Sequence, residues 1–217
     1  MAIYTTADIE FVDSFIEQNI DLIDNNDWEA VYNNLLQQFT GRRVGLFTEK
    51  ILACGINPLD WLSYIPNYYL WGATDISQFK VPDNIVYIGE HAFENSSIKD
   101  LYLGIGLRHI GEGAVSQSQI CNVYVDDLNL FSSIEMEGPG AHPLIYWDRI
   151  AQLWLKGQKI EDFGIKAVID KKLPVGIQRS DSEYWSNIVK YEYIQDNIID
   201  IDPIHQIKPR GGSWFEF

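Results

Sequence analysis

ISQFKVPDNIVYIGEHAFENSS (76–97) and IKDLYLGIGLRHIGEGAVSQSQ (98–119) lie end to end, and ICNVYV (120–125) opens a third stretch of the same design. Ile76, Ile98 and Ile120 recur at a constant 22 residues. Phe79, Leu101 and Val123 coincide, as do Val81, Leu103 and Val125. Between the first two copies Ile85 meets Leu107, Ile88 meets Ile110, Gly89 meets Gly111, Glu90 meets Glu112 and Ala92 meets Ala114. One fixed period in the twenties predicts a solenoid, in which each unit buries its apolar face only by stacking on a neighbour.

Alternation places a strand at Phe79–Val81, Leu101–Leu103 and Val123–Val125, with Phe79, Val81, Leu101, Leu103, Val123 and Val125 inward. Lys80, Tyr102 and Tyr124 then form one outward ladder, and Gln78, Asp100 and Asn122 a second, two residues earlier. The later half of each copy, Ile88 to Phe93 in the first, reads as an irregular or helical turn, with Gly89 and Gly111 at a φ that a side chain would resist. Residues 66–75 read as the back half of a degenerate first repeat, Trp71 taking the place of Phe93. The third copy is expected to fail by Ser132, where Ile88 and Ile110 have no counterpart.

Upstream, Ile9, Val12, Phe15, Ile16, Ile20 and Ile23 make a helical stripe after a Thr5 or Thr6 N-cap. Trp28, Val31, Tyr32, Leu35, Leu36 and Phe39 make a second, and Val44, Phe47, Ile51 and Leu52 a third that ends at Gly55. Asn57-Pro58-Leu59-Asp60 reads as an N-cap, a proline at the first helical position and a short helix. This helical block is expected to cap the open end of the repeats. Downstream, Leu144 to Tyr146 reads as a closing strand, and Arg149–Lys156 as a helix capped by Asp148, with Ile150, Leu153 and Trp154 inward. Ile165–Asp170 reads as a strand turning through Asp170 to Lys172 into Leu173–Val175. One further element is expected around Tyr184–Tyr193, and an extended tail after Pro203. The expected divisions are 1–65, 66–143, 144–177 and 178–217.

With 217 residues, 46% of them hydrophobic and 13% aromatic, the chain is globular in composition. Apolar runs are short, and MAIYTTADIEF lacks the basic and apolar regions of a secretory signal. Cys54 and Cys121 read as reduced packing residues. A cytoplasmic location is the expectation. The net charge is −15, and residues 1–41 hold eight acids and no base. Direct binding to nucleic acid or an anionic membrane needs a basic footprint and is disfavoured. The acid excess fits a basic protein partner, or solubility alone.

Pro82, Ile85, Ile88, Gly89, Ala92 and Phe93 follow a pattern that resembles the BspA-like class of bacterial leucine-rich repeats; the second copy keeps Leu107, Ile110, Gly111 and Ala114 but has Gly104 for the proline and Val115 for the phenylalanine. The resemblance implies an α+β fold: a short leucine-rich-repeat solenoid of two to three repeats, capped by an N-terminal helical block and a C-terminal helix or strand closure. It also implies a protein-interaction module without catalytic residues in the repeat. The helical block through Ile56–Asp60 and Ile65-Pro66, ahead of so few repeats, is similar to small repeat proteins of bacteriophages.

His91, His109, His142 and His205 are scattered, with no pair at metal-ligand spacing, so neither metal nor cofactor is expected. His109 reads as a surface turn residue, and Asp126, Asp127, Glu135 and Glu137 as a carboxylate cluster or a solvated acidic loop. Nothing in the motifs points to an enzyme. Two constellations carry the binding expectation. One is Lys80, Tyr102 and Tyr124 with Lys99, Asp100 and Asn122; tyrosines on a rigid sheet give contact area at small entropic cost. The other is the acidic row Glu10, Asp13, Glu17, Asp21 and Asp24. The leading expectation is a phage-encoded inhibitor that covers the basic surface of a bacterial host protein, such as a nuclease. The alternative is a virion or assembly component forming homo-oligomers through the repeat edge and aromatic tail.

Overall fold

A computed structural model describes residues 4–138, 140–144, 151–163, 165–169 and 189–193. Four helices lead the chain: α1 (Thr6–Gln18), α2 (Ile20–Asp24), α3 (Trp28–Gln38) and α4 (Arg42–Ala53). Thr5 caps α1 in a reciprocal box: its hydroxyl accepts from the Asp8 N–H at 3.2 Å, and Asp8 Oδ2 accepts from the Thr5 N–H at 3.0 Å. The stripe expected over residues 9–23 is broken at Asn19, whose side chain donates to the Phe15 carbonyl at 2.9 Å. Val12, Phe15 and Ile23 are buried, whereas Ile9 and Ile20 are exposed, because the inward face runs through Asp8, Val12, Phe15, Asn19 and Ile23, one residue off the expected positions 9 and 20. Gly55, at φ +80°, ends α4, with the Ile56 N–H returning to the Ile51 carbonyl. Asn57 caps the 3-10 turn Pro58–Asp60 as the sequence predicts.

Two sheets follow, wound as coils and parallel throughout except at the last strand of the second. One takes β1 (Tyr64–Ile65), β3 (Tyr87–Ile88), β5 (His109–Ile110) and β7 (Glu135–Met136) in that order. The other takes β2 (Gln78–Lys80), β4 (Asp100–Tyr102), β6 (Asn122–Val125), β8 (Gln152–Leu155) and β9 (Gln158–Lys159). The chain is thus a short leucine-rich-repeat-like solenoid of about three coils, begun by a helical block. The later half of each copy holds a strand rather than only a turn, because Tyr87-Ile88 and His109-Ile110 each pair with the next coil. The third copy does not end at Ser132. α5 (Leu128–Ser132), capped by Asp127, interrupts it, and Met136 then takes the place opposite Ile110.

The first coil is one residue longer than its successors. Ala73 N–H to Leu70 carbonyl (3.1 Å) repeats as Ser96 to Phe93 (3.2 Å) and Ser118 to Val115 (3.3 Å). Leu70, not Trp71, therefore stacks beneath Phe93, and Trp71 instead donates from Nε1 to Glu94 at 3.2 Å. Gly89 and Gly111 are also corrected: neither has a positive φ. Glycine is needed at 89 because a Cβ there would lie 2.6 Å from the Asn67 backbone nitrogen.

The far end departs most from expectation. Gln152–Leu155 is a strand pairing with β6, not a helix; Leu153 is buried as expected, while Trp154 faces outward opposite Tyr124. Lys156 (φ 49°) and Gly157 (φ 78°) form the two-residue turn to β9. That pair of positive φ values is a type I′ hairpin signature, and a glycine after a lysine reads equally well as a helix end. β10 (Ile165–Ile169) forms where a strand was expected, and within the described residues its antiparallel partner is β11 (Val189–Tyr193). Asp148, Arg149, Ile150, Ile145, Tyr146, the turn at Asp170–Lys172, Leu173–Val175 and the tail after Pro203 lie outside the described residues. Cys54 and Cys121 are exposed rather than packed.

One apolar core runs from the helices into the coils, through the Tyr32–Tyr69, Tyr69–Phe79 and Phe79–Phe93 ring pairs at 5.8, 6.4 and 5.0 Å. α4 meets the first coil at Gly45, where a Cβ would sit 2.2 Å from the Trp71 carbonyl oxygen. In a free helix Gly→Ala stabilises by about 1 kcal/mol. Here Gly45→Ala is expected to destabilise by about 1–3 kcal/mol net, because the backbone clash outweighs propensity. Urea unfolding measures it; a stabilised variant would show that α4 does not seat on the coil this way.

Candidate partner-binding face

The register of the five-stranded sheet sets two rows across its outer surface. Gln78 aligns with Asp100, Asn122 and Gln152; Lys80 aligns with Tyr102, Tyr124, Trp154 and Lys159. In the second row the Tyr102 and Tyr124 rings stack at 4.2 Å with 8° between planes, and Tyr124 and Trp154 at 5.6 Å with 22°. Their faces are spent on one another, so the row presents ring edges outward. In the first row Asp100 accepts from Gln78 Nε2 at 3.2 Å and from Asn122 Nδ2 at 2.7 Å. Trp154 Nε1 donates to Asn122 Oδ1 at 3.0 Å and ties the rows together. Burial, then the Asp100 charge and Tyr102, raise the Tyr124 phenol above its ordinary value, so it stays a neutral hydroxyl.

Lys80, Asp100, Tyr102, Asn122 and Tyr124 are thus brought together, and Lys99 is exposed immediately before β4. Sequence reading missed Trp154, Lys159 and Gln152. QLWL alternates as NVYV does, but it comes 30 residues later rather than 22, which hides it from a periodicity search.

The acids are differently placed. Glu10, Asp13 and Glu17 are exposed on α1, Asp21 and Asp24 on α2, and Asn19 interrupts the row between them. Asp13 is paired with Lys50. Asp8, from the same acidic segment, is fully buried, held by Arg43 at 2.9 Å and Arg42 at 3.1 Å. The Thr5 hydroxyl first, and then Arg43 and Arg42, hold its carboxyl well below the usual range against the cost of burial.

The second sheet aligns Tyr64, Tyr87, His109 and Glu135. His109 is a strand residue, not a turn residue; it stacks on Tyr87 at 5.0 Å and lies 3.0 Å from Glu137 and 3.5 Å from Glu135. Asp127 is occupied in capping α5, so the four carboxylates of 126–137 do not converge. Among the described residues no group of three His, Cys, Asp or Glu is placed to hold a metal ion, and no helix is long and apolar enough to cross a membrane.

A family model described as the BspA type leucine-rich repeat region, six copies, matches residues 56–135. Those residues are similar to that repeat region. The match opens just before the 3-10 turn at Pro58 and closes on β7, so it takes in β1 to β7 but neither the helical block nor the β8–β9 hairpin. No curated protein and no solved structure matches the chain. Leucine-rich repeats typically mediate protein–protein interaction, so the match suggests a protein-binding module.

Proposed function

We propose that the chain is a non-enzymatic, phage-encoded binding protein that docks on a bacterial host protein through the Lys80–Tyr102–Tyr124–Trp154 row and occludes that protein's basic surface. The observation that carries this reading is the stacked, hydrogen-bonded row, whose side chains are fixed before any partner arrives. Pre-organised aromatic side chains lose little freedom on docking. Size limits what the row does alone: five strands about 4.8 Å apart and two to four residues wide cover roughly 250 Å², against about 800 Å² per partner in a stable interface. The acidic residues Glu10, Glu17, Asp21 and Asp24 supply a second patch, and the −15 charge steers a basic host protein such as a nuclease.

The test is affinity capture from bacterial lysate, with bound proteins identified by mass spectrometry. Tyr102→Ala with Tyr124→Ala is expected to reduce capture of the specific protein more than about tenfold, as for a hot-spot pair worth at least 2 kcal/mol. Capture of nothing specific by the native chain, or equal capture by the variant, would overturn the reading.

A further inference from the structure

The chain has far more acids than bases, 31 against 16, so most cations are expected to find a carboxylate. Among the described residues whose side chains are described, Arg42 and Arg43 hold Asp8, Lys50 holds Asp13, and Lys159 holds Glu161 at 2.5 Å. Arg108 donates to the Ile105 and Leu107 carbonyls. Among the same described residues, three cations have neither an ion pair nor a side-chain hydrogen bond, namely Lys80, Lys99 and Lys156. All three belong to one sheet: Lys80 ends the aromatic row on β2, Lys99 immediately precedes β4, and Lys156 stands in the turn that follows Trp154. The carboxylate in the rows, Asp100, is already taken by Gln78 and Asn122. Between the lysines lie ring edges, which carry the positive side of the aromatic quadrupole.

We propose that this strip takes an extended, acidic segment of the partner protein, with carboxylates on Lys80 and Lys156 and the intervening chain across the Tyr102–Tyr124–Trp154 edges. The proposal rests on the reading of the row as the docking face and names the chemistry it selects: an acidic peptide, on a partner whose basic patch meets the helices. The dimensions fit. From β2 to β8 is three strand intervals, about 14 Å, which an extended chain spans in four to five residues at about 3.3 Å each. A strip too narrow for a globular surface is wide enough for one extended chain.

The experiment is fluorescence anisotropy on the full chain. The probe is a labelled synthetic peptide of alternating valine and threonine with two glutamates four positions apart, so that both point to one face; its lysine counterpart and single-stranded oligothymidylate are run beside it. The glutamate peptide is expected to bind, salt-sensitively, and Lys80→Glu with Lys156→Glu to weaken it by at least about tenfold. Lys80→Gln with Lys156→Gln, which leaves no new charge on the sheet, is expected to weaken it less, and melting curves check that each variant is folded. No binding of the glutamate peptide, equal binding of the lysine peptide, indifference to the lysine changes, or tighter binding of oligothymidylate would each overturn the proposal. The two readings fail separately. If the tyrosine changes abolish capture from lysate and the lysine changes leave it intact, the docking face stands and the acidic segment falls; if neither alters capture, both fall.

Discussion

Phe93→Ala is expected to lower the unfolding free energy by about 3–5 kcal/mol, the range for emptying a buried aromatic site. Phe93 is fully buried at the middle coil, with the Phe79 ring 5.0 Å away and its own N–H bonded to the Ala114 carbonyl at 2.7 Å. Leu70 lies below it and Val115 above, each in the same place of its coil. A cavity there has coils on both sides that cannot close without shortening the strand spacing, and each coil is stabilised mainly by its neighbours. Domains of this size are stable by about 5–15 kcal/mol in all, so the change removes a large share. Phe93→Leu puts in the middle coil what the first already carries at that position, and is expected to cost about 1–1.5 kcal/mol. Urea titration followed by tryptophan fluorescence compares the three. A loss under about 1 kcal/mol for the alanine variant would contradict a stacked interior.

The second large effect is loss of stability in mild acid through His142. Its ring is buried, with Nδ1 accepting the Leu144 N–H at 3.2 Å and the Phe131 ring edge-on at 6.3 Å. Burial pushes the imidazole down to about 3. An unfolded chain takes up that proton near pH 6.5, whereas the folded chain resists it to about 3, so between those values the unfolded state holds more protons. Stability therefore falls as pH falls across that window, by about 3 kcal/mol at pH 4. His142→Gln, which has an acceptor but no titration, is expected to show a flatter stability profile between pH 6.5 and 4. Asp8, with its carboxyl held low, contributes stability that is lost only below the ordinary carboxylate range, near pH 4, and so lies beyond the window. Glu49, raised by burial, favours the folded state as pH falls and acts alike in both proteins. Parallel slopes for the two proteins would sink the assignment.

The repeat was legible because stacking enforces it: Ile76, Ile98 and Ile120 share a period, and the same period put Tyr102 beside Tyr124 with the register the structure has. What escaped was whatever broke the count. α5 delays Met136 by four residues, and a longer insertion delays Trp154 by eight, so neither registers as a repeat although each continues its sheet. The single extra residue in the first coil moved the equivalence from Trp71 to Leu70. On the helices, Asp8 was only one of the eight acids counted in residues 1–41; tertiary contact with Arg42 and Arg43 makes it a buried anchor. The second sheet escaped because two-residue strands leave too little alternation to detect.

The β8–β9 hairpin has a consequence for length. Parallel strands invite a further coil, but β9 runs the other way, is two residues long and ends on a lysine, and among the described residues the sheet ends there. The span between Lys80 and the hairpin turn is therefore a ruler graduated in whole strands. No side-chain substitution shortens it by a fraction; only losing or gaining a coil resets it, in steps of about 4.8 Å.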